Sequence, residues 1–319
     1  MSPDIISFGE LLVEIMRKDI DVPHAEIGAV YRGPYPSGAP AIFIDSAARM
    51  SKPFKFSTGI IGMVGNDEFG KTIIHKLKSD GVDISQIKVD NEKTTGIAFN
   101  QYNSDGSRKF IFAPGAAGDL SKIDLKPSYF SDVQVLHIMG SSLAISSSSR
   151  EFCYEALKLA KEENPDVIIS FDPNLRPEML GVEKIIEICK PILNHTDILL
   201  PSEEEATMLA QTKDSDKACK ELLKQNIPLI ILKQGQAGCT VYSKKDESIR
   251  EISSYDVKEL DPTGAGDCFG GAFIVSYLAG WDLIDAARFS NAVGALKVNH
   301  FGPMPGTTYE EVIAFMDHS

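Results

Sequence analysis

The feature that most constrains this chain is a recurrence of short apolar runs separated by segments with helical spacing. Runs at 5–8, 58–64, 133–139, 167–171, 197–200 and 229–232 are dominated by apolar residues without strict alternation and are rich in β-branched residues. Between them, 40–50, 69–79, 149–162, 182–193, 203–209 and 215–224 carry apolar residues at helical intervals. Strands that are apolar rather than alternating are buried on both faces. The rhythm therefore predicts an α/β fold, doubly wound, with a mostly parallel sheet and helices on both faces. Only 94–102 and 107–113 depart from it. These two alternating runs flank Asp105-Gly106, a strong hairpin signal, and predict a small β-sheet lid over a pocket, with a surface hairpin as the plain alternative.

The 319 residues carry 32 basic and 45 acidic side chains, a formal net charge of −13. Such a surface repels nucleic acid and anionic membranes, so neither is expected as a partner. No apolar stretch has the length needed to span a bilayer. The start, Met1-Ser2-Pro3-Asp4, does not read as a signal peptide. The five cysteines have no metal-knuckle or CxxC spacing and the histidines no HxxxH pairing. Reduced thiols in a cytoplasmic protein without zinc are expected.

The sharpest chemical signal is Asp261-Pro262-Thr263-Gly264-Ala265-Gly266-Asp267, followed by an apolar run of helical length at 268–279. Glycines permit a tight turn, so the N–H groups of Gly264, Ala265 and Gly266 can converge at a helix start as an anion cradle. A carboxylate there repels phosphate, but it suits a base that takes a proton from an attacking hydroxyl, which points to Asp267. Other features fall near carboxyl ends of expected strands, where open α/β sheets gather ligands. They are Gly9–Glu14 with its carboxylate, Pro36–Ala41 with small residues before a helix, Asp172–Arg176, Leu200–Glu205 with three acids, and Lys233–Gly238. Each also fits a plain role: Asp267 or the acids as helix-start residues, Glu14 on a solvated strand face, the rest as turns.

Taken in order, these stretches resemble the ribokinase-like (PfkB-type) carbohydrate kinases nearly end to end. Ile61–Gly70 is similar to the family's GxxGxDxFG segment, Asp172–Arg176 to DPNxR, and Asp261–Asp267 to its C-terminal signature. The resemblance implies one domain over 1–319, with lid excursions around 12–36 and 92–114. It implies ATP with Mg²⁺ and transfer to a primary hydroxyl of a small sugar, with Asp267 as base and Gly264–Gly266 as anion hole. Glu14, Gly38, Ala39, Phe99, Gln101, Arg108 and Arg176 fall to the sugar, and Ser202, Lys233, Gly235, Gly238 and Asn291 to the nucleotide. Glu205 falls to Mg²⁺ through water and Asp261 to a monovalent cation such as K⁺. Many relatives form homodimers through the lid.

Three positions depart from the family pattern: Ile42 and Ser202 each stand where Asn is usual, and Glu14 where Asp is frequent. A reshaped sugar pocket follows. Pro34–Asp45 and Gly302-Pro303-Met304 are similar to the tagatose kinase and fructokinase subgroup, so a ketohexose, D-tagatose or D-fructose, is expected. The alternatives are 2-keto-3-deoxygluconate, a nucleoside stacked on Tyr31, Tyr35, Phe99 or Tyr102, or a non-catalytic sugar sensor.

Overall fold

A computed structural model describes residues 2–105, 107–175, 177–225 and 227–318. Its larger sheet is built from β1 (Ile5–Glu10), β4 (Thr58–Gly65), β5 (Asp83–Asp90), β8 (Val135–Met139), β9 (Ile168–Asp172), β10 (Ile198–Leu199), β11 (Leu229–Lys233), β12 (Cys239–Ser243) and β13 (Ser248–Ile252). The smaller sheet takes β2 (Leu12–Arg17), β3 (Tyr31–Ser37), β6 (Gly96–Tyr102) and β7 (Arg108–Ala113). In the larger sheet the strand order is β13-β12-β11-β10-β9-β8-β1-β4-β5. Strands β5 to β11 along that order are parallel, and β12 and β13 add an antiparallel edge.

Successive residues along the parallel strands feed opposite cores, which is why these strands are apolar without alternation. Ile5, Ile60, Val135, Ile198 and Ile231 enter one core with Phe43, Phe273 and Phe289. Ile6, Ile61, Leu136, Leu199 and Ile230 enter the other with Phe152, Ile188 and Leu222. Helices Ala39–Met50, Ala265–Leu278 and Leu283–Val298 cover the first face, and Ser147–Glu163, Val182–Leu193 and Ser215–Lys224 the second. All five cysteines are buried free thiols. No helix among the described residues is long and apolar enough to cross a membrane.

The smaller sheet has the order β3-β2-β6-β7. The 94–102 and 107–113 runs do form its β6–β7 hairpin, but that hairpin does not stand alone. β2 pairs with β6 in parallel, Glu14 opposite Ala98 and Met16 opposite Asn100, and β3 closes the other edge. β3 holds Gly33, Pro34 and Pro36, and an edge is where a strand tolerates proline.

Helix Ala265–Leu278 is apolar on every side and its residues 267–276 are buried. It packs between Ala39–Met50 and Leu283–Val298. The approach is close at Gly271, where a Cβ would meet Phe43 O at 2.5 Å and Ala47 N at 2.9 Å. Because both obstacles are backbone, the helices must separate to admit any side chain. Gly271→Val should lower stability by about 1–3 kcal/mol, the usual cost of overpacking, read from urea midpoints. A midpoint equal to wild type would show that the contact is not tight.

Candidate active site

Gly264 starts the long buried helix. It caps the N-terminus with φ 79°, a left-handed conformation that favours glycine, and Ala265 to Asp267 form the first turn. The Ala265 N–H donates to Pro262 O (3.2 Å), so the anion cradle is narrower than the three-donor version expected from sequence. Gly264 and Gly266 remain as backbone donors that the helix itself does not engage. Lys233 Nζ lies 3.5 Å from where a Gly266 side chain would begin, adding a cation to the same spot.

Asp267 is 8% exposed and accepts a bond from Asn174 Nδ2 at 3.2 Å. It stands at the junction of two cavities. The smaller, about 110 Å³, lies beneath the small sheet and includes Glu10, Glu14, Gly38, Ala39, Ser141 and Phe110. The larger, about 700 Å³, includes Asp172, Lys233, Gly235, Gly238, Tyr255 and Asn291. Asp267, Gly264 and Arg108 line both.

In the smaller cavity Glu14 is buried, not on a solvated strand face. Its carboxyl accepts from Ser37 Oγ and Asn100 Nδ2, each at 3.1 Å. Burial pushes it up to about 7; those two bonds resist the rise and the Asp261 charge adds to it. Glu10 accepts from Ser141 Oγ (2.6 Å) and Ser142 Oγ (2.7 Å). Gly38 has φ 107°, and a Cβ there would strike Glu10 O at 2.1 Å, so this loop admits only glycine. Ile42 replaces the family's usual Asn with carbon packed against Gly264.

In the larger cavity Lys233 pairs with Asp172 at the ends of β11 and β9. Burial raises the Asp172 carboxyl, with Lys233 opposing it. The Lys233 ammonium is held above its ordinary value despite burial, because Asp172, Glu205 and Asp267 face it. Ser202 and Glu205 form a reciprocal capping box, and Glu205 also accepts from Leu175 N at 3.0 Å. The Asn291 amide lines the cavity while donating to Ile252 O and Ser253 O, each at 3.2 Å. Among the described residues no group of three or more His, Cys, Asp or Glu could hold a metal ion.

Several expectations need correction. Phe99 and Gln101 do not reach either cavity. The pleat turns Ala98, Asn100 and Tyr102 inward, leaving Phe99 edge-on to Tyr31 (5.6 Å) and Gln101 bonded to His24 N (3.1 Å) on the outer face. Tyr31 stands beside them, away from a nucleoside-stacking position. Asp261 is fully buried and already holds an internal cation, Lys297, at 3.7 Å. Arg176 lies outside the described residues. Sequence reasoning also passed over Glu10, Ser141, Phe110, Phe112 and Lys297. The first four could have been found by following strand parity and strand ends; a lone Lys in an apolar helix gives no signal.

Comparison with known proteins now identifies the class. Residues 4–308 match the pfkB family carbohydrate kinase model, and the chain belongs to that family. It is an enzyme of the sugar-kinase type with a ribokinase-like fold. Among curated relatives it is 32% identical to probable fructokinase-5 of Arabidopsis thaliana, over 95% of this chain and 94% of that one. It is 30% identical to a 5-dehydro-2-deoxygluconokinase of Clostridium perfringens, over 92% and 87%. Among solved structures, an E. coli protein provisionally called ribokinase II, in complex with ATP and Mg²⁺, is 40% identical over the whole of both chains with a TM-score of 0.90. A Vibrio cholerae fructokinase double mutant with fructose, ADP and potassium ion bound is 26% identical over 98% of each chain, TM-score 0.83.

The raised Glu14 carboxyl has a consequence for stability. Its folded value, about 7, exceeds the ordinary 4.5, so the native state holds a proton that the unfolded chain has released between those pH values. The contribution is complete below about pH 4.5 and is lost as pH rises to about 7. Urea unfolding should show this loss, on the order of 3 kcal/mol, as a slope steeper than that of Glu14→Gln. Parallel slopes in both proteins would mean Glu14 titrates normally.

Proposed function

We propose that this chain transfers the terminal phosphoryl group of ATP to a primary hydroxyl of a small sugar, a ketohexose of the D-fructose or D-tagatose type. The observation that carries the reading is Asp267 at the junction of the two cavities, on the first turn of a buried helix. The sugar occupies the smaller cavity, where Glu14, Glu10 and Ser141 offer acceptors and donors to hydroxyls. The nucleotide occupies the larger, its phosphates directed to Gly264, Gly266 and Lys233. The sugar oxygen attacks the terminal phosphorus, the bond from that phosphorus to the ADP oxygen breaks, and Asp267 takes the hydroxyl proton. Asn174 keeps the Asp267 carboxylate oriented. Mg²⁺, when bound, neutralises charge on the phosphate oxygens. The sparse acidic set here, Glu205 with Asp172 nearby, suits an ion held largely by phosphate and water.

The small sheet serves as the lid on the sugar, with 12–36 and 92–114 as excursions of a single domain. Its outer face, with Phe99 and the half-exposed Ile111, is the surface for a homodimer. A cytoplasmic setting fits the reduced thiols.

A second reading has its own support. Among the described residues lining the smaller cavity Arg108 is the only cation, and the Clostridium relative is named for a sugar acid. A keto sugar acid could place its carboxylate there.

ATP consumption should be measured against fructose, tagatose, ribose, 2-keto-3-deoxygluconate, 5-dehydro-2-deoxygluconate and adenosine. One sugar should turn over well, and Asp267→Asn should lose about two to four orders of magnitude while melting like wild type. Undiminished turnover in the variant would remove Asp267 from the role of base. With Arg108→Ala, a loss confined to acidic sugars by about tenfold or more would select the second reading. An equal effect on neutral sugars would exclude it.

A further inference from the structure

The turn that presents Asp267 begins with a buried negative charge. Asp261 has no exposed surface. Its carboxylate accepts from Tyr102 OH (2.6 Å), Thr263 N (3.0 Å) and Gly302 N (2.9 Å). One side chain therefore ties together the small sheet, the phosphate turn and the loop after the last long helix. A carboxylate so far from water needs a cation close by.

Lys297 provides it from within the chain. The residue is 1% exposed, near the end of helix Leu283–Val298. Its Nζ donates to Asp261 O at 2.6 Å and to His300 O at 3.2 Å, and lies 3.7 Å from Asp261 Oδ2. An ammonium has only donors to offer: two of its hydrogens find the carbonyl oxygens of Asp261 and His300, and the Asp261 carboxylate faces it as a charge partner. Burial pulls the ammonium below its ordinary value, with Asp261 opposing. Burial pushes the Asp261 carboxyl up, but Lys297 and the bonds from Tyr102 and Thr263 outweigh it and hold the group below its ordinary value.

A monovalent metal ion does not fit at Asp261. The carbonyl and carboxylate oxygens it would use already face a positive charge, and a second cation within a few ångström would be repelled with little water to screen it. Potassium is bound in the Vibrio fructokinase structure. At Asp261 this chain carries a covalently attached cation, Lys297.

We propose that Lys297 is a built-in replacement for the monovalent cation, a positioning residue that neutralises Asp261 and fixes the phosphate turn, so that the enzyme needs no potassium. The activity part of this inference rests on the kinase reading; the binding part does not.

The test compares wild type and Lys297→Ala in KCl, NaCl and tetramethylammonium chloride at equal ionic strength, by sugar turnover and by melting temperature. Wild type should give the same rate within about twofold and the same melting temperature in every salt, since no ion binds the native state alone. Lys297→Ala should be slow and melt early in tetramethylammonium, and KCl should restore about tenfold or more of the rate together with part of the melting temperature. Potassium activation of wild type overturns the proposal. So does a folded Lys297→Ala enzyme that is equally impaired in all three salts, as a merely structural lysine would make it, or one that is unimpaired. If that variant does not fold, the wild-type salt series decides. If wild type turns over no sugar, the kinase reading has failed, and the melting temperatures alone test the cation.

Discussion

The arrangement depends on one constraint: helix Ala265–Leu278 has no polar face to give to water. It must be enclosed, and it is, between two other helices and against the sheet. The burial of Phe273 and its neighbours is worth roughly 1.5–3 kcal/mol per large side chain, which leaves the helix little freedom to slide. Gly271 sets how near Ala39–Met50 can come, and Gly38 at that helix's start carries Ala39 to the wall of the smaller cavity. Among the described residues the buried helix meets the two cavities only at its N-terminal end, through Ala265, Gly266, Asp267 and Phe269. Asp267 is thereby placed by packing, while the helix start supplies donors and a partial positive charge beside it.

Around that turn the chain resolves an electrostatic conflict. Phosphates must enter a protein of net charge −13, near Asp172, Asp261, Asp267, Glu10 and Glu14. Four of these five have a local solution. Asp172 faces Lys233, Asp261 faces Lys297, Glu10 is held by two serine hydroxyls, and Glu14 is pushed toward neutrality by burial. The net charge of the surface thus says little about the cleft, where Lys233, Arg108 and the helix start face the larger cavity.

Much of this was legible in the sequence, for definable reasons. The parallel strands were apparent because both their faces are buried, and the Asp261–Asp267 turn because glycines and a carboxylate seldom precede an apolar run by accident. β3 was hidden by its glycine and prolines, and Leu283–Val298 by having no clear polar face. Phe99 and Gln101 were assigned to the pocket without applying strand parity, which β2–β6 pairing fixes through Glu14 opposite Ala98. Lys297 gives no signal in the sequence because only the fold brings it to Asp261. Nothing local marks two residues 36 positions apart as partners.

The most direct test of the central claim, that the phosphoryl group crosses at Asp267 from one cavity to the other, is a crystal structure of the protein with a turned-over sugar and a non-hydrolysable ATP analogue. The account predicts the sugar beneath the small sheet, its primary hydroxyl within hydrogen-bond reach of Asp267, and the terminal phosphate against Gly264 and Gly266. A sugar bound outside the smaller cavity, or one whose hydroxyls all lie beyond the reach of Asp267, would contradict it.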